Sequence, residues 1–153
     1  MANKLISKPD LCVNCRMCEM ACSLMKTGMF NPAKARIWIY QNHKDTVYPM
    51  ICRHCVSPPC EKACPVEGKK PIRRSKESGI VFMVPEGCIG CYECVGACPF
   101  NAIRIDPETD AVIKCDLCGG DPECAKWCPT GALQYVDTKA MTALKASEKN
   151  RQG

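Results

Sequence analysis

The sequence is poor in aromatic residues and in long apolar runs. Only nine of its 153 residues are aromatic. No stretch approaches the roughly 18 to 20 apolar residues that a membrane-spanning helix requires. The first nine residues also lack the apolar segment of a signal peptide. We therefore expect a cytoplasmic protein that is not inserted directly into a membrane.

Motifs of the common enzyme classes are missing as well. There is no G-x-G-x-x-G dinucleotide fingerprint and no P-loop. No isolated Cys stands beside a His in the way that would indicate a nucleophile. The 21 basic residues are not interleaved with aromatic residues, which argues against a nucleic-acid partner. We expect a protein without a catalytic site of its own.

Cysteine, in contrast, supplies 16 of the 153 residues, a density typical of disulfide scaffolds and metal-rich proteins. Disulfides do not persist in a reducing compartment, so the thiols indicate metal. They form four groups of four, each beginning with C-x2-C and ending with C-x3-C. The groups are Cys12, Cys15, Cys18 and Cys22 (one); Cys52, Cys55, Cys60 and Cys64 (two); Cys88, Cys91, Cys94 and Cys98 (three); and Cys115, Cys118, Cys124 and Cys128 (four).

Group three reads C-x2-C-x2-C-x3-C-P, which is the bacterial ferredoxin signature. In this run three thiolates bind one iron–sulfur cluster and the fourth binds a neighbouring cluster. Because all four groups are complete, the sequence predicts four [4Fe-4S] clusters with all sixteen cysteines as ligands. Four thiolates leave the iron of a cluster no open coordination position, so electron transfer is the expected chemistry.

Zinc is the main alternative, because a C-x2-C pair also forms a zinc knuckle. Zinc modules usually separate two such pairs by a dozen or more residues. Groups one and three instead leave only two residues between the second and third Cys. A zinc-binding interaction module is therefore the less favoured alternative, and disulfides rank below it.

Short strand patterns alternate with turns between the groups, which predicts an α+β fold. We expect residues 102–106 and 111–114 to form a hairpin, and residues 131–136 to pair with residues 4–7. Short helices are expected after the last Cys of each group. The other expected strands are residues 35–40 and 79–84.

The residue before the second Cys of a group is expected to adopt a positive φ, since a chain that wraps a cluster turns its amides toward sulfur. Gly90, Asn14 and His54 occupy this place, and these residue types are the ones that tolerate positive φ. Leu117 of group four departs from the pattern. We expect His54 to form a turn or line a cluster rather than bind iron.

Charge is distributed unevenly along the chain. The net charge of +5 counts the cysteines as neutral, whereas four oxidised clusters would contribute about −8 and bring the total near −3. Residues 52–76 hold seven basic and two acidic residues, but residues 86–123 hold eight acidic residues and only Arg104 and Lys114 as basic ones. The cluster held mainly by group two is therefore expected to have the highest reduction potential.

The four motifs in their order resemble the four-cluster iron–sulfur subunits of molybdenum and tungsten oxidoreductases. The resemblance covers roughly residues 3 to 136. It is carried by Cys12 to Cys22 with the following Asn31-Pro32, by Cys52 to Pro65, by Cys88 to Phe100, and by Lys114 to Leu133.

The resemblance implies two nested ferredoxin-like units with short strands, short helices and cluster-binding loops. The outer unit would comprise residues 1–50 and 101–153 with groups one and four, and the inner unit residues 51–100 with groups two and three. Pairing of group one with two and of three with four is the alternative. The nested pairing implies clusters held by Cys12, Cys15, Cys18 and Cys128; by Cys52, Cys55, Cys60 and Cys98; by Cys88, Cys91, Cys94 and Cys64; and by Cys115, Cys118, Cys124 and Cys22.

The chain departs from the larger family members in having only five residues between Cys118 and Cys124. This compact form is most similar to the small ferredoxin subunit of tungsten-dependent aldehyde oxidoreductases. The resemblance implies a molybdenum- or tungsten-pterin catalytic subunit as partner, with a flavoprotein, ferredoxin or other redox protein at the other end. Formate dehydrogenase, hydrogenase or carbon monoxide dehydrogenase is an alternative parent complex, and a free-standing polyferredoxin is a third possibility.

Overall fold

The structure is a computed structural model in which residues 3–138 are described, and within them short strands and short helices alternate. This mixture confirms the α+β class. The strands are β1 (Asn3–Ser7), β2 (Trp38–Gln41), β3 (Val47–Met50), β4 (Ile72–Arg74), β5 (Val81–Met83), β6 (Ile103–Ile105), β7 (Val112–Lys114) and β8 (Leu133–Asp137). The helices are α1 (Met17–Thr27), α2 (Pro59–Ala63), α3 (Glu93–Gly96) and α4 (Glu123–Lys126), and 3-10 turns cover Pro9–Leu11, Pro32–Lys34 and Leu117–Gly119.

The first and last described strands pair with each other. β1 and β8 form an antiparallel two-stranded sheet in which Leu5 faces Tyr135, as the prediction for residues 4–7 and 131–136 required. The backbone N–H of Lys8 extends the contact by donating to the carbonyl of Ala132 at 2.7 Å. The chain therefore closes on itself and brings group four beside group one.

The other strands form three local antiparallel pairs, β2 with β3, β4 with β5, and β6 with β7. The β6–β7 pair confirms the predicted hairpin. β3 and β4 were not predicted, because β3 contains Pro49 and β4 reads Ile-Arg-Arg, so neither shows a clear apolar alternation. β2 begins at Trp38 rather than residue 35, since the Arg36 N–H donates to the Cys22 sulfur instead of a neighbouring strand.

The prediction that the helices follow the last Cys of each group was wrong. α2, α3 and α4 each contain the third Cys of a group and end before the fourth. The fourth Cys is followed by Pro65, Pro99 or Pro129, and a residue before proline is disfavoured in the helical region. Group one has no such proline, and α1, which has 11 residues, continues past Cys22 to Thr27.

Buried side chains form two separate clusters. One gathers residues of groups one and four with Leu5, Ile37, Ile39 and Leu133. The other gathers residues of groups two and three with Ile72, Val81, Ile103 and Val112. Ile103 and Val112 belong to the β6–β7 hairpin, which therefore packs with groups two and three.

No helix formed by residues 3–138 has the length and apolarity that crossing a membrane requires.

Candidate iron–sulfur sites

Four cavities lie between the cysteine groups. Each is lined by three cysteines of one group and the last cysteine of another. We name them sites A to D: site A has Cys12, Cys15, Cys18 and Cys128; site B has Cys115, Cys118, Cys124 and Cys22; site C has Cys52, Cys55, Cys60 and Cys98; and site D has Cys88, Cys91, Cys94 and Cys64. As ligand sets of clusters, these combinations remain a prediction of the nested pairing.

The last two cysteines of each group line neighbouring sites. Cys18 and Cys22 lie one turn apart on α1, about 6 Å along its axis, so Cys18 faces site A and Cys22 faces site B. Cys124 at site B and Cys128 at site A repeat this arrangement at the end of α4. Helix α1 and the segment at the end of α4 each contribute one cysteine to site A and one to site B, so the two sites are neighbours.

Sites C and D are joined in the same way. Cys60 lies in α2 and lines site C, while Cys64 follows that helix and lines site D. Cys94 in α3 lines site D, and Cys98 lines site C.

Cys52 connects the two pairs of sites, because it lines both the site C cavity and the site B cavity. The four sites therefore follow one another in the order A, B, C, D. Site B thus has five cysteines in its wall, and Cys52 belongs to site C by its C-x2-C spacing to Cys55.

The donor set of each cavity suits a group larger than a single ion. Within residues 3–138, no three His, Cys, Asp or Glu side chains converge closely enough to hold one metal ion. The four sulfurs instead lie around each space, and the remaining walls are mainly apolar, such as Val81 and Ile103 at site C and Ile72 and Met83 at site D. Thiolates spread around an apolar cavity are the ligand set of a [4Fe-4S] cluster.

The chain turns sharply at the first C-x2-C of each group. Gly90, Asn14 and His54 have φ values of 67°, 57° and 46°, as predicted. Leu117 also has a positive φ of 54°, although leucine is not favoured there. Leu117 is 1% exposed, so we attribute this conformation to the packing of its side chain in the core.

Backbone N–H groups point at several of the sulfurs. The donors and acceptors are Arg36 to Cys22 (3.2 Å), His54 to Cys52 (3.4 Å), Ala102 to Cys98 (3.5 Å), Leu117 to Cys115 (3.4 Å) and Leu133 to Cys128 (3.4 Å). Hydrogen bonds to a ligand sulfur are one determinant of the reduction potential of a cluster. These five hydrogen bonds reach sulfurs of sites A, B and C.

Burial shapes the acidity of the thiols. It raises the pKa of Cys18 and of Cys115 to about 12 and that of Cys60 to about 11. Burial also opposes ionisation of Cys128, but the N–H of Leu133 and the groups of Thr130 outweigh it and lower the pKa of that thiol. A buried thiolate requires a cation beside it, and the iron of a cluster supplies one.

An ion-pair cluster holds the loop of site B in place. Asp116, between Cys115 and Cys118, lies 2.7 Å from Lys26 of α1 and 2.9 Å from Arg36. Although burial opposes it, this pairing lowers the pKa of the Asp116 carboxyl. The contact joins group four to the segment that follows group one.

Lys114 and His54 are buried polar residues whose contacts the sequence did not indicate. Lys114 is 2% exposed and donates to the Cys52 sulfur at 3.1 Å. The Nδ1 of His54 accepts a 3.0 Å hydrogen bond from the N–H of Val81, and burial lowers the pKa of His54 to about 3. His54 is therefore neutral and fixed in the turn before Cys55.

The exposed cysteine residues lie at the two ends of the line. Of the sixteen cysteines, only Cys15 at site A and Cys91 at site D are exposed. Val13 lies beside Cys15 and Ile89 beside Cys91, and they are 64% and 68% exposed. Val56, beside Cys55 of site C, is also exposed, although Cys55 itself is half-buried.

Residues 43–138 match the family described as a 4Fe-4S dicluster domain, and residues 9–28 match a 4Fe-4S binding domain. The two matches together contain all four cysteine groups. The chain therefore carries multiple 4Fe-4S clusters, and its four groups are consistent with four.

Iron–sulfur subunits of several oxidoreductases are similar in sequence. The polyferredoxin-like subunit of the aliphatic sulfonate oxidoreductase of Pyrococcus furiosus is 36% identical over 124 residues, which cover 81% of this chain and 70% of that protein. The iron-sulfur subunit of formate dehydrogenase-O of Escherichia coli is 34% identical over 90% of this chain and 54% of its own length. Subunit beta of the NADH-dependent phenylglyoxylate dehydrogenase of Aromatoleum evansii is 34% identical over 85% of this chain and 29% of its own length. This chain thus spans about half of the formate dehydrogenase subunit.

The fold is also similar to that of a chain in the active site complex BamBC of benzoyl coenzyme A reductase in complex with zinc. The TM-score is 0.51, with 22% identity over 97% of this chain and 90% of the other. At this identity the similarity concerns the fold alone.

Proposed function

This chain belongs to the 4Fe-4S dicluster domain family, and we propose that it is the electron-transfer subunit of an oxidoreductase complex. The observation that carries the proposal is the line of four cysteine-lined sites with an exposed cysteine at each end. The three relatives named above support it, because each is a subunit of an oxidoreductase or dehydrogenase. In this role the chain needs no substrate site, and it is not itself catalytic.

In this proposal the chain holds four [4Fe-4S] clusters, one at each of sites A, B, C and D. The four cysteines named for a site are the ligands of its cluster. Bound there, a cluster supplies one-electron redox chemistry. The cysteines would hold the iron and the apolar walls would exclude water. The N–H groups that donate to sulfur would help to set the reduction potential of the cluster.

We assign the sites to two nested units, with A and B in the outer unit and C and D in the inner one. The two separate clusters of buried residues support this division. Contacts also cross between the units, because Ile103 and Val112 of the outer unit pack with groups two and three, and Ile51 and Ile80 of the inner unit pack with groups one and four. The outer unit also extends to residues 139–153, which lie outside the described residues.

For the parent complex we favour an enzyme with a molybdenum- or tungsten-pterin catalytic subunit of the aldehyde oxidoreductase type. The short link of five residues between Cys118 and Cys124 supports this choice. A flavoprotein, ferredoxin or other redox protein would exchange electrons at the opposite end, and the complex would work in the cytoplasm, where thiols stay reduced. The formate dehydrogenase relative favours formate dehydrogenase as the second candidate.

Two measurements on anaerobically purified protein test the proposal. Iron and acid-labile sulfide analysis should give about sixteen of each per chain. A preparation saturated with zinc and lacking sulfide would contradict it. Affinity purification of the tagged chain at native expression level should recover a pterin-containing subunit, whereas elution of a loaded chain alone would favour a free-standing polyferredoxin.

A further inference from the structure

Lys114 is a buried cation between sites B and C. It is the last residue of β7, is 2% exposed and lines the site C cavity, and the next residue, Cys115, lines site B. In the sequence it stands among the acidic residues of segment 86–123. In the folded chain its ammonium instead lies beside Cys52 of group two.

The Lys114 Nζ has three acceptors: the Cys52 sulfur at 3.1 Å, the Val81 carbonyl at 2.6 Å and the Cys115 carbonyl at 2.9 Å. A lysine ammonium has three donors and no acceptor, so this geometry uses every proton of the group. The ammonium is therefore fixed in position, with one proton aimed at a ligand sulfur of site C.

The basic residues of segment 52–76 make different contacts. Arg74 donates to the carbonyls of His54 and Cys55, at 3.4 and 3.1 Å. Arg73 donates to the carbonyl of Lys70 at 2.8 Å and stacks on Phe82. These hydrogen bonds hold loops in place, whereas the Lys114 bond reaches sulfur directly.

We propose that Lys114 makes site C the site of highest reduction potential in the chain. The inference rests on the proposed assignment of a cluster to Cys52, Cys55, Cys60 and Cys98. Reduction adds one electron, delivered by a neighbouring site or a chemical reductant, and increases the negative charge on the ligand sulfurs. No bond to Lys114 forms or breaks and no proton leaves it. The fixed ammonium stabilises the reduced form more than the oxidised form, because the extra charge lies beside it in a medium of low dielectric constant.

An EPR-monitored redox titration of the cluster-loaded protein tests this inference. Lys114→Met keeps the length of the side chain and removes its charge and donors. It should lower the site C potential most, reducing the ratio of reduced to oxidised site C about tenfold at a fixed applied potential, or about 59 mV for one electron. A smaller shift is expected at site B, because the Lys114 ammonium also contacts the carbonyl of Cys115. Lys114→Arg should retain most of the wild-type potential. Lys44→Met, in the exposed loop between β2 and β3, changes the net charge equally and should shift nothing.

The shifted signal is assigned with Cys55→Ser, since an oxygen ligand at site C alters the spectrum of that site alone. Lys114→Met also leaves the carbonyls of Val81 and Cys115 without a donor and can reduce iron incorporation. Lys114→Gln therefore serves as a second variant that keeps a donor and lacks the charge, and it should shift the same signal in the same direction.

The outcomes separate this inference from the proposed function. If Lys114→Met and Lys114→Gln contain the wild-type amount of iron and sulfide but all potentials are unchanged, Lys114 does not determine which site has the highest reduction potential. A larger shift in a signal other than the one altered by Cys55→Ser also overturns the inference. Absence of iron and sulfide from the wild-type protein would instead contradict the proposed function.

Discussion

Glu19 accepts a hydrogen bond of 2.7 Å from the backbone N–H of Ile39, which fastens helix α1 to strand β2. Glu19 follows Cys18 of site A directly and its side chain is only 3% exposed, while its second oxygen lies 3.5 Å from Arg16. A buried carboxylate thus lies beside site A, as the Lys114 ammonium lies beside site C. Opposite charges at these two sites favour different reduction potentials.

Replacement of Glu19 by Gln should raise the potential of site A. The amide oxygen of Gln still accepts from Ile39, so the main change is the loss of a negative charge next to Cys18. We expect about a tenfold larger ratio of reduced to oxidised site A at a fixed applied potential, or about 59 mV, measured by EPR-monitored titration. Glu19→Leu separates the two roles, because it leaves the Ile39 N–H unsatisfied and should cost about 1–3 kcal/mol of stability. An unchanged site A potential in fully loaded Glu19→Gln would contradict the electrostatic role.

Serine substitutions should reveal which cysteines share a cluster. Cys22 lines site B with Cys118, although it belongs to the same sequence group as Cys12. Cys22→Ser and Cys118→Ser should therefore alter the same EPR signal, and Cys12→Ser a different one. The comparison requires only single variants of the loaded protein. A common signal for Cys22→Ser and Cys12→Ser would refute the nested assignment.

The pairing of β1 with β8 should retain the iron–sulfur clusters of sites A and B. Leu5 is 5% exposed, packs with the buried residues around groups one and four, and lines site B. Leu5→Ala should cost about 2–5 kcal/mol of stability and accelerate the loss of visible cluster absorbance in denaturant. Leu11→Ala is the matched control, since Leu11 is 43% exposed and its truncation should have little effect. Equal rates of cluster loss in the two variants would show that β1 does not retain the clusters.

Salt should distinguish the arginines of β4 from Lys114. Arg73 and Arg74 are only partly buried, so their influence on site C is screened by ions. Reversal of both charges, Arg73→Glu with Arg74→Glu, should lower the site C potential at low salt, and the shift should shrink as salt is added. The shift produced by Lys114→Met should persist, because that ammonium is buried against sulfur. Titrations at low and high ionic strength check both expectations, and a salt-independent arginine effect would contradict the first.

Local patterns in the sequence were sufficient for part of the fold. The β6–β7 hairpin follows from two short apolar segments around a turn, and the positive φ at Gly90, Asn14 and His54 follows from the conformations that these residue types tolerate. The positions of the helices were not evident, because three of the helices end ahead of the prolines that follow the fourth cysteines. Leu117 shows the opposite case, in which core packing overrides a local preference.

The sequence by itself determined the kind of site, since the spacing of cysteines within each group is a local property that the chain carries into any fold. The ammonium beside site C and the carboxylate held by Ile39 were decided only by the tertiary structure. Lys114 reaches a sulfur 62 positions away, and Glu19 accepts from an N–H 20 positions away. Such contacts depend on how separate elements pack, because a buried charge is tolerated only where the folded chain supplies partners for it. The packing of α1 against β2 and of β7 against β5 supplies those partners, and it places each charge beside residues that lie far away in the sequence.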